Sequence, residues 1–276
     1  MRRGNIVVEI DGRIGRLIID KPDASNALAP RDVLDLAAAY AEIDASGTCN
    51  VIILSGNGKG FCAGHDLRQA GADRAAQDSA DGPVLADWSA LRRSNDALLR
   101  IRDGDTPVLA QVHGYCLGSG LDLMLMCDLA VTTTTCRFSH PAIRSAGGTP
   151  SAMAYPAWIG AARAKEFLWV TPQLSGVEAE SWGMVNKAVD PAELERTVGT
   201  WAGRIASLPK DNITIQRQHL RRIQDLAGFR SAIELGPDLD ALAHTSGATV
   251  AWREAVDRHG FAEAVRRRDQ NFQTGE

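Results

Sequence analysis

The 276-residue sequence predicts an α/β fold, and three features of the chain support that prediction. Residues 51–54 form a short apolar run, typical of a strand buried on both faces, and a glycine-rich loop follows it. Residues 108–112 are typical of a further strand, and a second glycine-rich turn at residues 114–120 leads into a helix. Beyond residue 160 the pattern is mostly helical. Strand, glycine turn and helix, used twice in one chain, indicate α/β architecture.

The N-terminal elements are predicted as a β-hairpin and a helix. The side chains of residues 6–10 alternate in character in the way that predicts a strand. Residues 11–15 supply turn residues, and residues 17–19 are predicted as the returning strand. Pro30 stands where a helix begins, and apolar residues then recur at helical spacing as far as Tyr40.

The rest of the chain adds a loop, a strand and several helices. Residues 71–86 are rich in Ala, Asp, Gly and Gln without periodicity, which predicts a mobile loop. Residues 129–133 are typical of a strand. Helices are predicted from about residue 88 to residue 102 and at residues 121–127, 161–170, 191–207, 209–224 and 249–269.

No linker divides the chain into separate domains. We therefore expect one fold unit, with a core at residues 1–200 that carries the site and a C-terminal helical region at residues 201–276.

Composition and charge argue against several classes of protein. The formal net charge of -4 disfavours a general role on nucleic acid or on a membrane surface. No stretch approaches the ~20 apolar residues of a spanning helix, and no signal sequence is recognisable, so we expect a cytoplasmic protein. The five cysteines have no C-x-x-C spacing and the six histidines do not cluster. We therefore expect reduced thiols and no bound metal.

The two glycine loops are the strongest functional signal. Gly58-Lys59 in the first loop suggests a P-loop, but Gly60 follows the lysine and the four-residue spacer is missing. The glycine spacing of the second loop does not match the dinucleotide fingerprint. Backbone N–H groups at such turns bind negative charge, and two facing turns would form an oxyanion hole. Each loop alone is equally explained as a tight turn, but together they favour a site.

Six segments, in the order in which the family has them, resemble the crotonase (enoyl-CoA hydratase/isomerase) superfamily over nearly the whole chain. They are SNAL at 25–28, FCAGHDL at 61–67, VHGY through Asp122 at 112–122, MCDLA at 126–130, AESWGMV at 179–185 and GFAEA at 260–264. The resemblance implies a spiral of ββα units followed by a C-terminal helical trimerisation region. It also implies an acyl-coenzyme A substrate, no permanently bound cofactor beyond the coenzyme A of the substrate itself, and a homotrimer or homohexamer.

The resemblance assigns roles to individual residues. The backbone N–H groups of His65 and Ser119 match the two oxyanion donors. Ala27, His65 and Leu67 match positions whose backbone contacts coenzyme A. Asp122 occupies the position of the first catalytic carboxylate, although a first-turn aspartate favoured by the helix dipole is an equal alternative.

The second carboxylate of the family pattern is replaced. Its position matches Ala142, which cannot transfer a proton, and the loop at residues 144–150 is about two residues shorter than in the family. His140 and Arg144 are the nearby polar candidates. A histidine can titrate near neutral pH, with a packed loop histidine as the alternative.

Three functions remain open at this point. The first is hydration of a 2-enoyl-CoA, the family default, with Asp122 handling water or a proton. The second is another crotonase reaction, thioester hydrolysis or decarboxylation, which need not use both carboxylates. The third is a non-catalytic acyl-CoA binding protein. Apolar residues of the last helices favour subunit contact, with burial inside one chain as the alternative; they are Leu239, Leu242, Val250, Trp252 and Val256.

Overall fold

A computed structural model describes residues 1–66, 82–145, 147 and 155–273. Within these ranges seven strands form the main sheet, in the order β1-β2-β3-β4-β5-β7-β10. Strands β1 to β3 pair antiparallel, and β3, β4, β5, β7 and β10 pair parallel. The bounds are β1 (Arg2–Arg3), β2 (Ile6–Asp11), β3 (Ile14–Ile19), β4 (Val51–Gly56), β5 (Val108–Val112), β7 (Leu129–Thr133) and β10 (Lys187–Val189).

A second, small sheet contains three strands of the described chain and carries one of the two glycine turns. Its strands are β6 (Tyr115–Leu117), β8 (Arg137–Ser139) and β9 (Leu174–Ser175), with β8 in the centre. The sequence did not predict these strands, because two or three residues are too few for a recognisable alternation.

The helices complete the fold, and most begin within a few residues of the predicted positions. Their bounds are α1 (Pro30–Ser46), α2 (Pro83–Asp103), α3 (Ser119–Leu125), α4 (Tyr155–Ile159), α5 (Ala161–Trp169), α6 (Gly176–Ser181), α7 (Leu194–Ala206), α8 (Lys210–Leu226), α9 (Phe229–Ala243), α10 (Gly247–His259) and α11 (Phe261–Gln273). Short 3-10 turns lie at Pro22–Ala24, Pro141–Arg144 and Pro191–Glu193.

The prediction that β4 is buried on both faces is confirmed. All six of its residues are buried. Val51 and Ile53 face a cluster that includes Val198 of α7, whereas Ile52 and Leu54 face the main core. The alternation follows from the two-residue period of a strand, and it explains why the sequence shows an unbroken apolar run.

Several predicted boundaries were wrong. Helix α2 begins at Pro83, so residues 83–86 of the predicted loop are helical, while residues 71–81 of that loop lie outside the described chain. The predicted helix at residues 249–269 is two helices, α10 and α11, separated at Gly260, whose φ of +78° breaks the helical path. Residues 191–193 form a 3-10 turn ahead of α7.

Helix α9 lies in the region predicted to be helical, but no separate helix was predicted at these residues. Pro237 lies inside it, and a proline in a helix interior removes a hydrogen bond and normally ends the pattern. Both Gly236 and Pro237 are buried. Packing of α9 against α2 therefore stabilises a helix that local propensity disfavours.

Buried arginines hold α8 against the preceding elements. Arg217 Nε donates to Asp128 Oδ1 at 2.7 Å, and its Nη2 donates to the carbonyl oxygen of Ile101 at 3.1 Å. Arg102 of α2 donates in turn to Asp225 Oδ1 at 2.6 Å. Removing one member of such a pair would leave a buried charge uncompensated.

None of the helices in the described part of the chain combines the length and the apolar character that a membrane crossing needs.

Candidate active site

Buried polar contacts hold the first glycine loop. Asn26 Nδ2 donates to the carbonyl oxygens of Asn57 at 2.7 Å and Gly60 at 2.9 Å. Lys21 Nζ donates to Asp66 Oδ2 at 2.9 Å and to Asp32 Oδ2 at 3.0 Å. Partial burial lowers the pKa of Lys21, but its hydrogen bonds to the two carboxylates outweigh that effect and the net pKa is raised. The loop backbone is thus fixed on both sides of its glycines.

The backbone of His65 is oriented by an isolated parallel pairing with Leu28. The N–H of Leu28 donates to the carbonyl oxygen of Gly64 at 2.7 Å, and the N–H of Asp66 donates to the carbonyl oxygen of Leu28 at 2.9 Å. Successive backbone groups of an extended segment point to opposite sides, so the N–H of His65 points away from Leu28. The His65 side chain is exposed, whereas Asp66 is buried.

The second glycine turn packs directly against the first. The backbones of Cys62 and Cys116 form an isolated parallel β-bridge. The N–H of Leu117 donates to the carbonyl oxygen of Cys62 at 2.9 Å. A methyl group placed on Gly64 would lie 3.3 Å from the backbone nitrogen of Ser119. Only glycine permits this approach, and Gly64 also has a φ of +95°.

Ser119 is the first residue of α3. The N–H groups of Leu121 and Asp122 both donate to the carbonyl oxygen of Gly118, at 2.8 and 3.3 Å. The first N–H groups of a helix have no acceptor within the helix, so the N–H of Ser119 has none inside α3. The geometry therefore brings His65 and Ser119, the two predicted donors, to adjoining backbone segments.

Of the predicted coenzyme A positions, two are described. Ala27 is buried beside the pairing of Leu28 with His65, and His65 follows Gly64 at the contact between the turns. Leu67 lies outside the described residues.

Asp122 lies in the core of the candidate site. It is 2% exposed and stands three residues after Ser119 on α3. Burial raises the pKa of Tyr155 well above its usual value, and the charge of Asp122 raises it further. The Tyr155 hydroxyl has no hydrogen-bond partner among the described residues. Asp122 and Tyr155 are therefore polar groups of one buried region.

Ala142 lies on the 3-10 turn after β8 and brings no ionisable group there. Neighbouring His140 is buried, and its ring meets Tyr155 edge-on at a centroid separation of 6.0 Å. Burial lowers the pKa of His140 to about 4, against the effect of a hydrogen bond to its own backbone, and the charge of Arg144 lowers it further. Of the two interpretations of His140, the burial and the lowered pKa favour the packed loop histidine over a group that titrates near neutral pH.

Arg144 is engaged by the C-terminal helix. Its Nη1 lies 3.3 Å from Asp269 Oδ1, and its guanidinium stacks 3.8 Å from the ring centroid of Phe272. These contacts give Arg144 a structural role between the turn and α11.

Three further ionisable groups, which the sequence did not reveal, interact with one another, and the charge of Asp122 acts on one of them, Asp240. Asp240 on α9 is buried, His244 stands one turn later, and Asp87 of α2 contacts that histidine. The spacing of Asp240 and His244 was the available signal, but it required α9 to be recognised as a helix.

An apolar groove opens between the first turns of α2 and the last turns of α9. Its volume is about 550 Å³, and its walls include Val84, Leu85, Trp88 and Leu242. Three of these side chains, those of Val84, Leu85 and Leu242, are exposed.

All five cysteines are free thiols, and four of them are buried. Burial raises the pKa of Cys62 to about 12, with the backbone N–H of Gly64 opposing and Asp122 adding to the shift. These thiols are therefore neutral at ordinary pH and unsuited to act as nucleophiles. Within the described ranges no three His, Cys, Asp or Glu side chains are placed to hold a metal ion.

Comparison with known proteins places the chain and its fold in one family. Residues 9–235 match the family model described as Enoyl-CoA hydratase/isomerase. A crotonyl-CoA hydratase from Syntrophomonas wolfei is 30% identical over 272 residues, 97% of each chain. A mevalonyl-coenzyme A hydratase, SIDH, from Beauveria bassiana is 33% identical over 207 residues, 73% of each chain.

Solved structures agree over nearly the whole length. An enoyl-CoA hydratase from Mycobacterium smegmatis has a TM-score of 0.89 at 26% identity, covering 98% of this chain and 94% of that one. An enoyl-CoA hydratase/isomerase from Xanthobacter autotrophicus Py2 has a TM-score of 0.89 at 25% identity, covering 98% and 99%. The chain therefore belongs to the enoyl-CoA hydratase/isomerase family and has the crotonase fold, including its C-terminal helical region. The names of these relatives agree with the expectation of an enzyme.

Proposed function

We propose that this protein binds a 2-enoyl-CoA thioester and adds water across its double bond. The observation that supports the proposal is the close approach of Gly64, which directly precedes His65, to the backbone nitrogen of Ser119. A thioester carbonyl oxygen held there becomes more negative as water attacks the β-carbon. Backbone donors fixed in advance stabilise that charge without reorganising.

Coenzyme A would run along the segment that contains Ala27 and His65. The pairing of Leu28 with His65 leaves this segment extended, and backbone groups of an extended segment suit the amides of a pantetheine arm. Leu67 belongs to the same proposal. The coenzyme A arrives with the substrate and leaves with the product.

Asp122 would accept the proton of the attacking water. It lies on the first turn of α3, one helical turn from Ser119, so its carboxylate and the Ser119 N–H share one face of the helix. Burial removes competing solvent and strengthens the interaction of the carboxylate with a bound water.

The methyl side chain of Ala142 favours a second set of functions. A decarboxylase forms its enolate by losing carbon dioxide and a thioesterase cleaves the thioester, so neither requires a carboxylate at this position. A protein that only carries acyl-CoA requires neither carboxylate.

A substrate panel separates these functions. The purified protein is given crotonyl-CoA, longer 2-enoyl-CoA thioesters, saturated acyl-CoA and a malonyl-type thioester. Hydration predicts loss of the enoyl absorbance and a product heavier by one water, without release of free thiol. Free coenzyme A would instead indicate hydrolysis, and loss of carbon dioxide would indicate decarboxylation. No turnover, together with a melting temperature raised by acyl-CoA, would indicate a carrier.

The apolar groove between α2 and α9 is proposed to receive the acyl chain or a neighbouring subunit. Leu242 lines the groove and is exposed. Among the other apolar residues predicted for subunit contact, Leu239 and Val250 are exposed, whereas Trp252 and Val256 are half-buried. We propose a homotrimer or homohexamer in the cytoplasm. Light scattering at micromolar concentration should give three or six times the mass of one chain, and a monomer would contradict this assembly.

A further inference from the structure

Asp240 is a buried carboxyl group without a full set of partners. It is 6% exposed, and its Oδ1 accepts no hydrogen bond from the described residues. Its Oδ2 lies 3.8 Å from His244 Nε2, and His244 Nδ1 lies 2.7 Å from Asp87 Oδ2. A buried carboxyl oxygen without a donor is costly unless a ligand, a water or a proton occupies it.

Asp240 lies against Gly147, a residue that follows the 3-10 turn of Ala142. A methyl group placed on Gly147, five residues after Ala142, would lie 3.3 Å from Asp240 Oδ1. At this described residue of the segment after β8, where the sequence lacks the second carboxylate, a carboxyl group from α9 is therefore close by.

Asp240 is also coupled to Asp122. Burial raises the pKa of Asp240 to about 7, the charge of His244 lowers it, and the charges of Asp122 and Asp87 raise it. Two carboxyl groups whose charges interact in a buried region disfavour the state in which both are ionised. A general acid and a general base require one protonated and one ionised carboxyl group.

His244 is held by both carboxylates. Burial lowers the pKa of His244, and the charge of Arg253 on α10 lowers it as well. The hydrogen bond to Asp87 and the charges of Asp240 and Asp87 raise this pKa. The net pKa is raised, so the imidazolium form is favoured beside Asp240.

We infer that Asp240 supplies the second proton-transferring carboxyl group that Ala142 does not, with His244 and Asp87 as positioning residues. This inference rests on the proposed hydration. Water gives its hydroxyl to the β-carbon and its proton to the Asp122 carboxylate. Protonated Asp240 gives its proton to the α-carbon as the enolate collapses. Asp122 then loses its proton to solvent and Asp240 regains one, so one water is added in total.

The first test compares Asp240→Asn with Glu234→Gln, an exposed carboxylate on the same helix. Asp240→Asn should lower kcat about 10²–10⁴-fold. It should also abolish the change of kcat with pH that the unmodified protein shows near neutral pH. The affinity for acyl-CoA should change less than about threefold. Glu234→Gln should leave the pH profile of kcat unchanged. His244→Ala should move this pH-dependent change of kcat to higher pH, because the substitution removes a charge that lowers the pKa of Asp240. An unchanged rate and profile in Asp240→Asn would overturn the inference.

The second test does not depend on turnover. Carboxyl-¹³C NMR of aspartate-labelled protein, with Asp240 assigned from the Asp240→Asn variant, should show a carboxyl titrating near neutral pH whose resonance shifts when butyryl-CoA binds. Titration in the ordinary acidic range, or no response to butyryl-CoA, would overturn the inference even if the enzyme hydrates crotonyl-CoA. If no enoyl-CoA is hydrated but the Asp240 resonance titrates near neutral pH and shifts with butyryl-CoA, the proposed hydration is contradicted. The placement of Asp240 at the thioester is then still supported.

Discussion

Gly64 and Ser119 meet so closely that a side chain on Gly64 would separate the two glycine turns. A methyl group there would lie 2.8 Å from the carbonyl oxygen of Leu117 and 3.3 Å from the nitrogen of Ser119. The contact joins a loop after β4 to the first residue of α3. The proposed oxyanion site depends on this contact more than on any side chain.

Gly64→Ala should therefore damage activity beyond its effect on stability. The left-handed φ of +95° costs an alanine about 1–2 kcal/mol, and the overlap with Leu117 adds displacement of the turn. If a donor is displaced, kcat should fall about 10²–10³-fold. Turnover and urea unfolding of the purified variant check both effects.

Gly183→Ala is the matched control. Gly183 has a φ of +75°, and a methyl group there would meet nothing within 4 Å. It should carry a similar conformational cost and keep normal turnover. Equal activities in the two variants would remove the support for a backbone oxyanion hole at Gly64.

Asp122→Asn should affect chemistry and spare binding. The amide keeps the size of the side chain but cannot accept the proton of water, so kcat should fall about 10²–10⁴-fold. Affinity for coenzyme A, measured by calorimetry, should stay within about threefold. If turnover also stays within about threefold, proton transfer belongs to another group, and Asp240 is the next residue to test.

Stability should depend on pH through Asp240. Its pKa is raised from 3.8 to about 7, so the unfolded chain releases this proton above about pH 4 while the folded protein keeps it. The contribution of the protonated Asp240 carboxyl group to the free energy of unfolding is present at low pH and is lost as the pH rises through about 7. A difference of about three pH units corresponds to a loss of up to about 4 kcal/mol.

Asp240→Asn should remove that dependence. Denaturant unfolding at pH 5 and pH 8 should show a larger decrease in the free energy of unfolding for the unmodified protein than for the variant. Parallel pH dependences would show that Asp240 ionises normally in the folded state.

The sequence predicted the elements whose local pattern agrees with their packing. Residues 51–54 are apolar because both faces of β4 are buried, and this is visible without a structure. Helix α9 was missed because Pro237 opposes a helix locally, and only its packing against α2 resolves the conflict.

The site divides in the same way. His65, Ser119 and Asp122 lie in motifs and were therefore predicted as site residues from the sequence. Asp240 lies in no motif, and its burial arises from contacts between α9, α2 and the loop at Gly147, which are distant in the chain. Its role therefore depends on tertiary structure.

The central claim is that backbone N–H groups of His65 and Ser119 hold the thioester oxygen. Isotope-edited infrared difference spectroscopy of bound butyryl-CoA, labelled with ¹³C at the thioester carbonyl, measures this polarisation directly and requires no turnover. We predict that the carbonyl band moves to lower frequency in the unmodified protein and in His65→Ala, which keeps the backbone donor, and that the shift is reduced in Gly64→Ala. A bound thioester whose carbonyl band stays at its solution frequency in the unmodified protein would contradict the account.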